Sequence, residues 1–282
     1  MSIRVRHLDC GRMTPLGGGL IYGRGALHHH LVCHCLLLEL PDRLVLVDSG
    51  FGLADVADPR GRLGGFFVST VRPRLEPAHT AAGQIEALGF RVEDVRDIVL
   101  THMDLDHTGG LSDFPHARVH VAQAEFTRAT ERPGFHDRMR YRPVQWAHRP
   151  KWCRYGSDGE AWFGFPAVRS LDTLPPEILM LPLCGHSMGH SGIAIDTGEP
   201  DGNDAAARRW LLHAGDAYFH RGEVHADQPR CPWVLRGYQR FLAADNRARL
   251  DNQARLAEVA RSHGEHVQIF CAHDTEEFER SS

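Results

Sequence analysis

Apolar and polar residues along this chain fall into short runs with two different periods. "IRVRHL", "LVCHCLLLEL" and "RLVLVDSG" read as strands, and Pro41-Asp42 joins the last two, which predicts an antiparallel opening. A glycine- and proline-rich stretch, residues 50–77, follows. "HTAAGQIEALGF" then spaces its apolar residues as a helix does, with Gly89 placed to cap it. "VEDVRDIVLTHMDLDH" predicts a short helical turn and a buried strand. Residues 128–170 carry Trp146, Trp152, Tyr155, Trp162 and Phe163 among many arginines and prolines, without a clean period. They are expected to be an insertion that covers a pocket or an irregular excursion packed on its own aromatics. Further apolar runs are "EILMLPL", "GIAIDT" and "RWLLHAG"; a long helical stretch over 236–262 stops near Gly264, and "HVQIFCAHD" reads as a last strand. The alternation predicts an α/β or mixed-sheet fold. No repeat or linker divides the chain, so residues 1–282 are expected to form one domain.

Composition narrows the function classes. At 282 residues and 42% hydrophobic, the chain can bury a substantial core. The formal charge is only −4 and the arginines form no basic run, which points away from nucleic acid and anionic membrane and toward a small-molecule partner. The N-terminal "MSIRVRHLDC" has no apolar stretch behind its charges, and no apolar run is long enough to span a bilayer. A cytoplasmic location is expected. Seven cysteines is an odd number without a CxxC pair, so reduced thiols are expected. Histidine, at 20 residues, is the outlier. The run His28, His29, His30 reads as an exposed loop, because adjacent histidines cannot share one face of regular structure.

The chemistry gathers at strand ends. His102 follows "DIVLT", His186 follows "ILMLPLCG", Asp216 closes "WLLHAGD" and His273 closes "VQIFCAHD". Open α/β sheets collect ligands at this place, and histidine with aspartate suits zinc or iron. In "THMDLDHTGG" the loop spacing sends His102 and Asp104 to one side and lets Asp106 and His107 turn to a second position. Two metal ions could share the loop, with Asp216 as the bridge because one carboxylate has two oxygens. Gly109 and Gly110 are expected to let the backbone turn sharply out of the site.

"HMDLDH" resembles the HxHxDH signature of the metallo-β-lactamase fold, and "VDSG", "GHSMGH", "GD" and "AHD" follow in that family's order over roughly residues 30 to 275. The resemblance implies an α/β (α+β) fold, a four-layer αβ/βα sandwich with its active site at the sheet edge. It implies one metal at His102, Asp104 and His186, and a second at Asp106, His107 and His273, with Asp216 between them. Asp48 and His190 would stand behind these ligands. The cofactors are then two divalent ions, zinc by the family's habit, with manganese or iron admitted by the one departure, Asp104 in place of the usual histidine. Counted alone, Asp104 gives the site three carboxylates, which favours harder ions and makes the bridging water less acidic.

Paired metals holding a bridging hydroxide suit hydrolysis, with Asp106 as ligand and proton acceptor and Tyr218 as a phenol donor. The resemblance is nearest to the lactonase and general hydrolase branch, including N-acyl homoserine lactonases, so opening of a lactone or related ester is expected. Phe219 occupies the slot where such lactonases often carry a tyrosine. A glyoxalase-type thioesterase is the alternative. From other classes stand an iron-dependent oxygenase or redox protein, because flavodiiron proteins place a carboxylate where Asp104 is, and a non-catalytic ligand sensor. A homodimer contact is compatible with residues 128–170.

Overall fold

A computed structural model describes residues 3–21, 30–198, 210–225 and 229–281, with the side chains of residues 20 and 21 left aside. His28 and His29 lie outside the described residues; His30 is exposed. The strands are β1 (Arg4–Met13), β2 (Leu31–Glu39), β3 (Leu44–Val47), β4 (Pro73–Arg74), β5 (Val95–Val99), β6 (Arg118–Ala122), β7 (Lys151–Tyr155), β8 (Glu160–Trp162), β9 (Phe165–Ser170), β10 (Ile178–Pro182), β11 (Ser191–Asp196), β12 (Trp210–His213) and β13 (Val267–Phe270). One sheet runs β4-β1-β2-β3-β5-β6-β7 and the other β13-β12-β11-β10-β9-β8. β1, β2 and β3 pair antiparallel, β2 and β3 through a short polar connection, whereas β3, β5, β6 and β7 are parallel.

Side-chain alternation sorts each strand into two cores. Leu36, Leu38, Val45, Val47 and Val99 of the first sheet meet Ile178, Met180, Ile193, Ile195 and Phe270 of the second. Their neighbours, Leu37, Leu46 and Ile98, point the other way and pack on Ala81, Ala82 and Ile85. On the outer face of the second sheet, Leu181, Leu212 and Ile269 pack on Leu256 and Val259. Continuous apolar strands such as "LVCHCLLLE" are thus explained by burial on both faces. The result is helix, sheet, sheet, helix, the sandwich expected.

The helices are α1 (Gly18–Ile21), α2 (Leu53–Ala57), α3 (Pro59–Leu63), α4 (Gly65–Val71), α5 (Ala81–Ala87), α6 (Leu105–Thr108), α7 (Gln123–Glu131), α8 (Phe135–Arg140), α9 (Trp233–Leu242), α10 (Asn246–Ser262) and α11 (Thr275–Ser281). The glycine- and proline-rich stretch 50–77 holds three of them. They are too short to show a period, and Asp58 starts α3 by accepting the Gly61 N–H. Residues 128–170 are not irregular: they carry α8 and then β7, β8 and β9, which extend both sheets. Their short strands are only partly buried, so no alternation marks them in the sequence. The helical stretch over 236–262 divides at residues 243–245, where the Asp245 side chain accepts the Arg247 and Ala248 N–H groups and begins a new helix. All seven cysteines are free. Among the described residues no helix is long and apolar enough to cross a membrane.

One carboxyl outside the site has a measurable consequence. Asp113 accepts the Leu53 N–H at 2.9 Å, yet burial, with Asp55 nearby, raises its pKa to about 6. The folded value lies above the ordinary one, so ionisation works against folding as pH rises from about 4 to 6 and above. Asp113→Asn keeps an acceptor for Leu53. It should raise stability by about 1–2 kcal/mol at pH 8 and leave it unchanged near pH 4. Thermal melts across that range check this, and equal gains at both pH values would show that the charge is not the cause.

Candidate metal centre

Four strand ends meet at one edge of the sandwich. β5 leads through Thr101 to His102 and Asp104, then into α6 with Asp106 and His107; the segment after β10 brings His186, and Asp216 and His273 follow β12 and β13. Among the described residues, His102, Asp104, His186 and Asp216 form one group able to hold a metal ion, and Asp106, His107 and His273 another. Asp216 faces both groups with different oxygens. Its Oδ2 lies 3.8 Å from His102 Nε2 and 3.4 Å from His186 Nε2. Its Oδ1 lies 3.4 Å from His107 Nε2 and 3.1 Å from His273 Nε2. Asp104 turns inward, its Oδ2 3.1 Å from His186 Nε2 and 3.4 Å from His102 Nε2. Asp106 Oδ2 is 3.6 Å from His273 Nε2.

The rings of His102, His107 and His273 are aimed by the bond their other nitrogen makes. His107 Nδ1–H donates to Asp48 Oδ2 at 2.8 Å, and His273 Nδ1–H donates to the Val32 carbonyl at 2.8 Å. The Thr101 hydroxyl donates to Asp48 Oδ2 at 2.7 Å and sits 3.0 Å from His102 Nδ1, whose N–H it accepts. Asp48 Oδ1 also accepts the Thr101 N–H at 2.8 Å. Asp48 itself holds a left-handed φ of +56°, strain a non-glycine residue keeps only where its surroundings over-determine it. His190 donates from Nδ1 to the Leu183 carbonyl at 3.1 Å and accepts the Asp216 N–H at Nε2 at 2.8 Å. It therefore holds the backbone of the bridging residue rather than facing the site. Next to it Gly215, with φ +53°, has no room for a side chain: a Cβ there would stand 2.6 Å from His190 Nε2.

The electrostatics fit cations. Burial opposes a charge on Asp216, but His273, His107 and His186 outweigh it and hold its carboxyl well below the ordinary range. Burial also opposes charge on His107, but Asp48, Asp216 and Asp106 hold it well above the usual imidazole value; by the same balance with Asp216 and Asp106, His273 rises to about 8. Burial and then its neighbours His102 and His186 push His190 well down, consistent with a neutral ring that accepts at Nε2. His102 Nε2, His107 Nε2 and Asp216 Oδ1 are buried without a hydrogen-bond partner. Unpaired buried nitrogens and carboxylate oxygens converging on common points are costly unless a cation takes their lone pairs. The carboxylates that favour a proton on His107 and His273 equally favour a divalent ion in its place, and imidazole with carboxylate is a donor set that suits one.

Tyr218 is not brought to this place. Its hydroxyl donates to the Glu277 carboxylate at 3.0 Å, within the core under the second sheet, so the phenol expected from its position after Asp216 is occupied elsewhere. Tyr238 of α9 is the phenol that feels the cluster. Its ring stands 6.4 Å from Phe219, which itself contacts the His273 ring at 5.2 Å and the His186 ring at 5.8 Å. Part of Tyr238 is exposed, yet the protein packed around it and the charges of Asp106, Asp216 and Asp104 push it up to about 12. Nothing in the sequence ties Tyr238 to the motif, because α9 reaches the site only through tertiary packing.

Two further residues carry no sequence signal. Glu125 of α7, wholly buried, accepts from Met103 N at 3.0 Å, Gly189 N at 3.0 Å, Ser187 Oγ at 2.7 Å and Tyr141 Oη at 3.1 Å, joining the loop of His102 to that of His186. Arg140, at the end of α8, places Nε 3.0 Å from Asp104 Oδ1. The two glycines after His107 differ from expectation too. Gly109 has an ordinary helical φ of −58°, and the need is for close approach: a Cβ would stand 2.0 Å from Asp55 Oδ2 at Gly109 and 2.6 Å from the Ser49 carbonyl at Gly110.

Comparisons with known proteins agree with this geometry. The sequence profile of the Metallo-beta-lactamase superfamily matches residues 30–201. A probable metallo-hydrolase of Mycobacterium tuberculosis is 44% identical over 272 residues, covering 96% of this chain and 80% of its own. An N-acyl homoserine lactonase of Bacillus cereus is 23% identical over 243 residues, 86% of this chain and 81% of that one. A solved N-acyl homoserine lactone hydrolase, with the product N-hexanoyl-L-homoserine bound at its catalytic metal centre, shares the fold at a TM-score of 0.71 and 21% identity, covering 100% of this chain and 97% of that one.

Proposed function

Given that the chain belongs to the metallo-beta-lactamase superfamily and is a metal-dependent hydrolase, we propose that it opens a lactone, or a related ester, bearing an apolar tail. The observation that carries this reading is the bridging arrangement of Asp216, one oxygen to each histidine group. His102, Asp104 and His186 would hold one divalent ion, Asp106, His107 and His273 the second, and Asp216 both, with zinc the expected metal. Bound there, two cations supply Lewis acidity to a carbonyl oxygen and a water deprotonated at neutral pH.

The chain's own residues do the rest. Asp48, Thr101 and the Val32 carbonyl hold His107, His102 and His273 in the tautomer that leaves Nε2 free, and His190 anchors the Asp216 backbone. Asp106 is placed to take a proton at its carboxylate and return it to the leaving oxygen. Tyr238, neutral at physiological pH, offers a phenol O–H to negative charge developing on the carbonyl oxygen, the role Tyr218 cannot fill. Phe219, buried against the rings of His186 and His273, excludes water from that side. The tail would lie along α8 and α9, where Phe135, Met139, Trp233 and Phe241 are exposed and the His136 and Phe241 rings meet at 5.6 Å.

The test is proton release at constant pH, with zinc or manganese supplied, over acyl homoserine lactones of graded chain length, simple lactones and glutathione thioesters. Ring opening that strengthens with chain length and disappears in His107→Ala is the expected result. Turnover of thioesters alone would replace the lactone by the thioesterase alternative, and silence over the whole panel would overturn both substrate classes.

A further inference from the structure

We propose that Asp104 and Arg140 act as one unit that replaces the neutral histidine of the HxHxDH signature, Arg140 being a positioning residue that cancels the charge Asp104 brings to the first metal position. This rests on the two-cation reading above. The carboxylate divides its oxygens: Oδ2 faces His186 and His102 Nε2, while Oδ1 faces Arg140 Nε at 3.0 Å. The guanidinium is itself held in place. Its Nη1 donates to the His186 carbonyl at 2.8 Å and its Nη2 to the Leu242 carbonyl at 3.1 Å, the latter at the negative C-terminal end of α9. The same Nη2 lies 3.2 Å from His186 Nε2, and the side chain is only 14% exposed.

An arginine cannot shed its proton, so a guanidinium buried this close to a cation position is tolerable only beside a permanent negative charge. Aspartate with arginine carries the same formal charge as one neutral histidine. The excess of carboxylate counted from the motif alone is therefore cancelled from α8, a helix more than thirty residues downstream. The hard-ion preference expected from Asp104 by itself is cancelled with it. The carboxylate also gains a direction from charge: the guanidinium draws Oδ1 electrostatically, without a hydrogen bond to it, and Oδ2 is left aimed at the imidazoles.

A double-mutant cycle read as metal content and affinity tests this without reference to turnover. Each protein is loaded with zinc, dialysed against a chelator of known affinity and assayed for zinc per chain, with circular dichroism and melting to establish folding. The wild type is expected to keep two equivalents. Asp104→His, which restores the signature but strands Arg140, should lose one of them through a drop of about a hundredfold in affinity. Asp104→His with Arg140→Gln should recover it to within about threefold, whereas Asp104→His with Arg140→Lys, which retains the charge, should not.

Arg140→Lys alone separates charge from scaffolding. It forfeits the bonds to the His186 and Leu242 carbonyls but keeps the cation, and should retain both equivalents. Two equivalents in Asp104→His at wild-type affinity, or no recovery on adding Arg140→Gln in a folded protein, would overturn the pairing while leaving the two-cation site standing. A wild type that keeps one equivalent or none would overturn the two-cation reading, and the pairing with it.

Discussion

Asp216→Asn is expected to reduce bound zinc from two equivalents per chain to one or none, and to lower hydrolysis by about a thousandfold or more. The substitution conserves size, and the Asp216 N–H retains its bond to His190, so the local backbone has no reason to move. Charge and the second oxygen are what change. Oδ1 and Oδ2 serve opposite histidine pairs at 3.1–3.8 Å, and three of those rings, His273, His107 and His186, hold the carboxyl ionised against burial. An amide has one oxygen, and its NH2 would face imidazole nitrogens or a cation. Metal analysis together with the pH-stat assay checks this. Two equivalents retained in the variant would show that Asp216 does not join the two positions.

The second large effect is on stability. Glu125→Ala should destabilise the protein by about 3–5 kcal/mol and lower its melting temperature by roughly 10 °C. The carboxylate is fully buried and accepts four hydrogen bonds, two of them from backbone N–H groups of Met103 and Gly189. Alanine leaves those donors without partners in a place water does not reach, and it opens a cavity beside Tyr141. Because Met103 follows His102 and Gly189 lies between His186 and His190, metal affinity should fall as well. Glu125→Gln, which keeps the volume and one acceptor oxygen, should lie between the two. A loss below about 1 kcal/mol in Glu125→Ala would mean that the two loops hold their positions without this residue.

Much of the site is legible in the order of the amino acids. The strands that lead to it are largely buried, so they stand out as apolar runs, and each ends within a few residues of a histidine or aspartate. Seven residues spread from His102 to His273 can be collected from the sequence because local pattern places them at strand ends, and the fold brings all seven into two adjoining groups. Tyr218 shows the limit of that logic. Proximity to Asp216 in sequence says nothing about which way a side chain leaves the backbone, and its hydroxyl turns to Glu277.

Sequence alone determined a mixed α/β fold, its strand ends and the identity of the residues gathered there, because hydrophobic alternation and short motifs are local quantities; the four-layer sandwich was implied only by the resemblance those motifs carry. Tertiary structure decided what surrounds them. Arg140, Glu125 and Tyr238 come from helices α8, α7 and α9, whose few turns carry no motif, and the ligand-loop residues they reach lie more than twenty positions away. The net charge at Asp104, the rigidity of the ligand loops and the phenol near the carboxylates are each set by a contact across elements. Such contacts follow from how α-helices pack on the two sheets, which no single stretch of residues encodes.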